Sequence, residues 1–540
     1  MPALHVLFAV AVTASSSLQG PPPMQHPHES GRPPEQLGQV RFETSCAATL
    51  APDLNRAVAL LHSFWFNAAA AAFTGVAEKD PSCGIAWWGV AMSRWGNPFA
   101  PSRPVAALEQ GRAAIEKARA AGAKTERERG YIEASATLFT DFEKVDHRTR
   151  IVNYERAMEK LYSAQKSDLE TGTFYALAVN QTALPADKTY AQQLKAAAIL
   201  EPIFKAVPDH PGAAHYLIHA YDHPPLAERA LPAARRYAQI APDAPHALHM
   251  PSHTFTRVGF WEDSIATNIA SAAAARKANA AAETLHALDY QVYAYLQTAQ
   301  DSAARKVLGE LQGIMAEVNK AEQYGLVGFY AAAAIPARFT LERAAWAEAA
   351  ALKPAATPFA FIDAMTHFAR AVGAARSGQP AAAAADVQRL ADLHKALVAA
   401  GDTYWALQVE IQHRTARAWT AAAEGRRDEA VALLQATATM EDATDKSAVS
   451  PGPLAPAREM LGDMLLEMKR PADALKELEA VMKKEPNRFR TLYLGARAAT
   501  EIGDVNRARQ YARQIDELCP KGDPQLRPEL AEMKKMIRQD

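Results

Sequence analysis

Histidine is the residue type placed most unevenly in this chain. Seven of its 16 histidines lie between His210 and His253, where an even spread would place about one. They fall in two segments, PDHPGAAHYLIHAYDHP and PDAPHALHMPSHTFTR, whose prolines Pro208 and Pro242 are 34 residues apart. On that offset His215 lies over His249, His219 over His253, and His223 over Arg257. Residues at i, i+4 and i+8 line one helical stripe, so His215, His219 and His223 share a face. Imidazole is a ligand for Zn²⁺ and other transition metals, with Zn–N distances of about 2.0–2.1 Å. If the two segments form neighbouring helices with axes about 8–10 Å apart, His215, His219, His249 and His253 come within reach of one ion. Asp222 is then placed as a carboxylate ligand or as an acceptor that orients an imidazole, and Arg257 as a holder of an anionic group. Tyr216, Leu217 and Ile218 fill the first gap, so the HExxH glutamate base is missing and a zinc-protease reading is disfavoured. The same histidines also read as side chains that satisfy loop backbones, or as a pH-dependent contact for an acidic or peptide ligand. Pro251 bears on the choice. Either it kinks a helix from Pro245 to Val258, or the helix starts at Pro251 and leaves His249 outside it.

The elements that must carry these residues are helices. From residue 50 onward Ala, Leu, Glu, Lys, Arg and Gln dominate, and apolar residues recur at three and four. The stretch LGDMLLEMKRPADALKELEAVMKKEPN puts Leu461, Gly462 and Leu465 on one helix, Ala474 and Leu478 on the next, and Pro486 at the end. Ala474 recurs as Ala508 and Pro486 as Pro520, both after 34 residues, with Ala496 in the place of Gly462. This pattern resembles the tetratricopeptide repeat, a helix–turn–helix unit of about 34 residues. The resemblance touches most of residues 50–520 and matches poorly over 100–195. It implies an all-α, right-handed superhelical solenoid. It also implies a concave groove that takes a protein or peptide partner and is lined by the stripe bearing the histidines, so His246, Asp222, His223, Arg257 and, several repeats earlier, His62 are expected to face it. The opening blocks SCAATLAPDLNRAVALLHSFWFNAAAAAF and DPSCGIAWWGVAMSRWGNPF are similar to a group of exported bacterial repeat proteins of unassigned function.

Composition narrows the rest. With 59 basic and 60 acidic side chains in 540 residues, the chain lacks the basic footprint of a nucleic-acid binder. No apolar run reaches the roughly 18 residues of a transmembrane segment. Residues 1–19 read as a signal peptide, although no Lys or Arg precedes Arg32. Residues 20–40, rich in Pro and Gly, read as a disordered linker. Beyond it come an N-terminal helical-repeat region (41–200), a His-rich repeat pair (201–285) and a C-terminal array (286–540). Cys46 and Cys83 are placed to pair if the chain is exported, while His286, His367, His394 and His413 read as structural or exposed. No phosphate loop or nucleophile elbow is present. The sequence favours an exported scaffold binding a protein, peptide or small ligand in a His-lined groove; the alternative is a metal-binding protein or metal-dependent enzyme using the paired histidine stripes, with zinc as one candidate metal.

Overall fold

The computed structural model describes residues 35–100, 103–317 and 325–538. The expected signal peptide and most of the expected linker lie outside them. No strand occurs among the described residues. Successive helices pack on one another along the chain, giving an all-α stack of tetratricopeptide-like helix pairs. The C-terminal pairs show why. Helices Pro471–Lys484 and Val505–Leu518 start 34 residues apart and follow Ala457–Glu467 and Phe489–Glu501. A Cβ on Gly462 would sit 2.7 Å from Leu478 Cγ, so the smallest residue is what lets the two helices of that pair approach. No helix among the described residues is long and apolar enough to cross a membrane.

The chain from Gln36 onward forms one compact unit. Residues 36–40 correct the linker's extent. Leu37 is buried, Gln36 N donates to Asp243 Oδ2 (2.7 Å), and Gln39 N donates to Asp209 O (2.8 Å). This segment therefore runs along the histidine-bearing loops. Cys46 and Cys83 are joined in a disulfide, and Cys519 stays a buried thiol.

Two contacts depart from simple nearest-neighbour stacking and shape the middle of the molecule. Helix Ala51–His62 reaches helix Pro211–Ala220, and helix Ala281–Gln297 reaches helix Phe489–Glu501. The loop at 443–456 lies across the same region. Arg338, fully buried, anchors it. Its guanidinium bonds Asp289 Oδ1 (3.0 Å), Ser450 Oγ (3.0 Å), Gly452 O (2.8 Å) and Pro453 O (3.0 Å). Leaving such a charge unpaired would cost several kcal/mol, so the loop and the helix bearing Asp289 are held in register.

Candidate metal centre

Helix Pro211–Ala220 carries His215 and His219. His210 caps it, accepting from Ala213 N through Nδ1 (3.1 Å), and Pro211 opens the first turn. The helix stops at Ala220, which corrects the three-histidine stripe. His223 precedes Pro224 and Pro225, and a residue before proline is turned away from helical backbone. His223 instead bonds Asp445 Oδ2 through Nδ1 (3.0 Å) and packs on Tyr190. In the second segment Pro251 cuts the helix in two, Pro245–His249 and Pro251–Val258. Met250 between them keeps helical dihedrals (φ −54°, ψ −35°), so His249 and His253 remain one turn apart.

The four imidazoles do not meet at one point. They divide between two sets, each completed by another histidine: His215, His219 and His246, and His249, His253 and His286. Within each set one ligand atom per residue lies within 4.8 Å of the others. The sets adjoin, with ring centroids 5.9 Å apart for His219 and His253 and 6.0 Å for His246 and His249. His286, on helix Ala281–Gln297, was not expected here. Its ring stands 4.4 Å from that of His249. Phe64, in left-handed backbone (φ 53°), packs its ring 4.3 Å from His215, and Phe99 lies 4.4 Å from His219, so apolar rings cover the first set.

The hydrogen bonds fix where the protons are. Asn268 donates its amide to Ser264 O (2.7 Å), so its Oδ1 must face His249 Nδ1 (2.7 Å) and accept from it. His253 Nδ1 donates to the Asp222 carboxylate (3.0 Å). A neutral imidazole has one N–H, so the Nε2 atoms of His249 and His253 are both unprotonated acceptors. They face each other at 3.1 Å. Tyr290 Oη, 3.4 Å from His253 Nε2, has nearer acceptors in Ser450 O (3.2 Å) and Ala448 O (3.3 Å). Two lone pairs at this distance repel unless a proton or a metal ion lies between them. Two nitrogens on one tetrahedral ion lie about 3.3 Å apart. In the first set His215 Nδ1 donates to His62 O (2.6 Å), leaving Nε2 unprotonated 3.1 Å from His219 Nε2. Among the described residues His246 Nε2 and His286 Nδ1 are buried with no hydrogen-bond partner. Burial and the neighbouring imidazoles push His215, His219 and His249 well below the usual histidine range. Burial takes His253 to about 4 and His286 to about 3. All five are neutral at pH 7, the form that ligates metals.

His62, Glu170 and His210 form a third cluster with metal-ligand spacing, and its protons give the opposite answer. His210 Nδ1 accepts from Ala213 N, so its Nε2–H donates to Glu170 Oε1 (3.2 Å). His62 Nε2 donates to Glu170 Oε2 (2.8 Å) and its Nδ1 accepts from the Tyr216 hydroxyl (2.9 Å). Every ring nitrogen is used, and no lone pair is left for an ion. His62 is fully buried, which corrects its expected place in a groove. It clamps helix Ala51–His62 to helices Leu169–Gln181 and Pro211–Ala220, and Gly212 is required beside it, since a Cβ there would lie 2.5 Å from His62 Nδ1.

Asp222 is the hub beside the second set. It takes His253 Nδ1, Arg257 Nε (2.8 Å) and Lys446 Nζ (3.1 Å), while its backbone carbonyl takes Arg257 Nη2 (2.9 Å). The Lys446 and Arg257 cations, their side chains little exposed, and the His253 N–H hold its carboxyl well below the usual range against the upward push of burial. Arg257 and Lys446 also line a cleft walled by Tyr293, Tyr330, Phe361 and Trp405. Gln408 Nε2 and Gln412 Oε1, on the same cleft, are buried without hydrogen-bond partners among the described residues.

No protein-family model and no curated protein matches the chain. Solved structures similar to it include Naa15/Naa10 bound to HypK-THB, at 13% identity over 90% of this chain and 91% of that one, with a TM-score of 0.25. An IFIT1 monomeric mutant with m7Gppp-AAAA is similar at 13% identity over 90% of this chain and 99% of that one, with a TM-score of 0.35. At such identity and TM-score the helical-repeat fold rests on the helix order itself.

Proposed function

We propose that this protein is a metalloprotein, a helical-repeat stack that holds a transition metal on buried histidines. The His249–His253 pair carries the reading: two acceptor nitrogens at 3.1 Å with both Nδ1 protons committed elsewhere. The donor set is imidazole without thiolate, which suits zinc, copper, iron or nickel. A bound ion supplies Lewis acidity or, for copper and iron, electron transfer. The chain's own part is to fix the tautomers of His249, His253 and His215 through Asn268, Asp222 and the His62 carbonyl, and to keep water out with Phe64 and Phe99. The Cys46–Cys83 disulfide supports an oxidising compartment and hence export. The test is elemental analysis of untagged protein prepared without chelators. Stoichiometric metal that is lost in His249→Ala/His253→Ala supports the reading. Metal-free protein that takes up no zinc, copper, iron or nickel contradicts it.

A scaffold role is a second reading, supported by the aromatic cleft and its unpartnered Gln408 and Gln412 amides. A protein or peptide crosslinked to the wild type and lost with Gln408→Ala/Gln412→Ala would support it, and equal capture by both would contradict it.

A further inference from the structure

We infer that the centre is a pair of ions, one on His215, His219 and His246 and a second on His249, His253 and His286, close enough for one small anion to bridge them. This rests on the metalloprotein reading above. The two sets share no residue, and each brings its ligand atoms within 4.8 Å of one another. They are built alike. Each repeat supplies a histidine pair four residues apart, with Nε2 atoms 3.1 Å apart in both. Each then borrows a third ring from the repeat that follows: His246 for the first pair, His286 for the second. The two borrowed rings are the ones with an orphaned buried nitrogen, His246 Nε2 and His286 Nδ1, so each set has one donor atom without another use. The rings form a chain. His215 lies at one end beside His219 and His246, His286 lies at the other beside His249, and the contacts His219–His253 and His246–His249 join the halves. Six rings strung out in this way do not surround one ion, because a single ion needs every nitrogen within about 2.1 Å of it.

The charge inventory points to the bridging ligand. Imidazole is an uncharged ligand when it binds a metal, and no carboxylate belongs to either set. Asp222 is held by His253 Nδ1, Arg257 and Lys446, and Glu283 stands 3.8 Å from His246 Nδ1. Two adjacent cations with only neutral ligands repel, and a small anion between them relieves that repulsion. Hydroxide is the smallest such ligand, and azide is a probe of the same class. Among divalent ions an all-imidazole site binds copper most tightly, which makes copper the metal for the test.

Metal-stripped full-length protein is loaded with Cu²⁺ and examined by elemental analysis, electron paramagnetic resonance and azide titration. The pair predicts two copper ions per chain and a paramagnetic signal well below the copper content, because bridged ions couple. It also predicts a new azide charge-transfer band that saturates at one azide per chain. His286→Ala is expected to retain one copper with its full signal. One copper per wild-type chain, or two with full signal and no azide response, would overturn the pair while leaving the metalloprotein reading in place. No copper at all would overturn both. Should His286→Ala fail to fold, the wild-type stoichiometry and signal decide the question.

Discussion

Replacing Glu170 tests the proton assignments that separate the third cluster from the metal centre. The Glu170 carboxylate accepts from His62 Nε2 and His210 Nε2, and these neighbours hold its pKa below the usual range although burial pushes it up. Glu170→Ala leaves two buried N–H donors without acceptors, at about 1–3 kcal/mol each. The expected loss is therefore about 4 kcal/mol. Glu170→Gln should behave differently. Its amide oxygen can serve His210, whose tautomer is fixed by Ala213 N, and its NH₂ can face His62, which switches tautomer and donates from Nδ1 to the Tyr216 oxygen. That rearrangement leaves the Tyr216 hydroxyl proton without its former acceptor, against two orphaned donors in the alanine variant, and the expected loss is about 1 kcal/mol. Because a long repeat stack need not unfold in one step, the assay is native-state hydrogen exchange at the amides of helix Ala51–His62. Protection should fall about a thousandfold in the alanine variant and less than tenfold in the glutamine variant. Equal losses in the two variants, or a loss in the alanine variant below tenfold, would refute the tautomer assignment.

Three further outcomes follow. Asp222→Asn removes the charge that orients His253 and pairs with Arg257 and Lys446, and should weaken metal binding about 10–100-fold in chelator competition. Unchanged affinity would remove Asp222 from the site's support. Asp463 is held at about 2 because Arg490 and Arg376 outweigh burial. Its folded value lies below its unfolded one, so its contribution of about 2 kcal/mol is present above about pH 4 and is lost as pH falls towards 2. An Asp463→Asn variant should lack this step in acid titrations followed by circular dichroism. Reducing the Cys46–Cys83 bond, which closes a 37-residue separation, should destabilise the N-terminal helices by about 4 kcal/mol, read as faster hydrogen exchange there. No change on reduction would refute this.

Much of the fold was legible because the close-packing positions are written in small residues. Gly462 facing Leu478, with the 34-residue recurrence of Ala474 as Ala508, fixes a helix pair whatever surrounds it. The four central histidines stood out for the same reason, since they repeat in phase with the helices. Their partners did not. His286 misses the repeat register by one residue from His253, and only the packing of helix Ala281–Gln297 brings it to His249. His62 was misplaced because Glu170 and Tyr216, more than 100 residues away in sequence, claim its nitrogens. Glu170 also lies in the stretch where the repeat pattern is weakest. His223 left the stripe because the Pro224–Pro225 stop outweighs helical periodicity. Burial itself was the largest surprise. A groove stripe in sequence became an interior centre once the N-terminal helices and the 443–456 loop closed over it.

X-ray absorption at the metal edge of the untagged, chelator-free protein tests the central claim most directly. The account predicts a first shell of nitrogen or oxygen at about 2.0 Å, the outer-shell scattering of imidazole rings, and no sulfur. Absence of bound metal, or a shell without imidazole scattering, would contradict it.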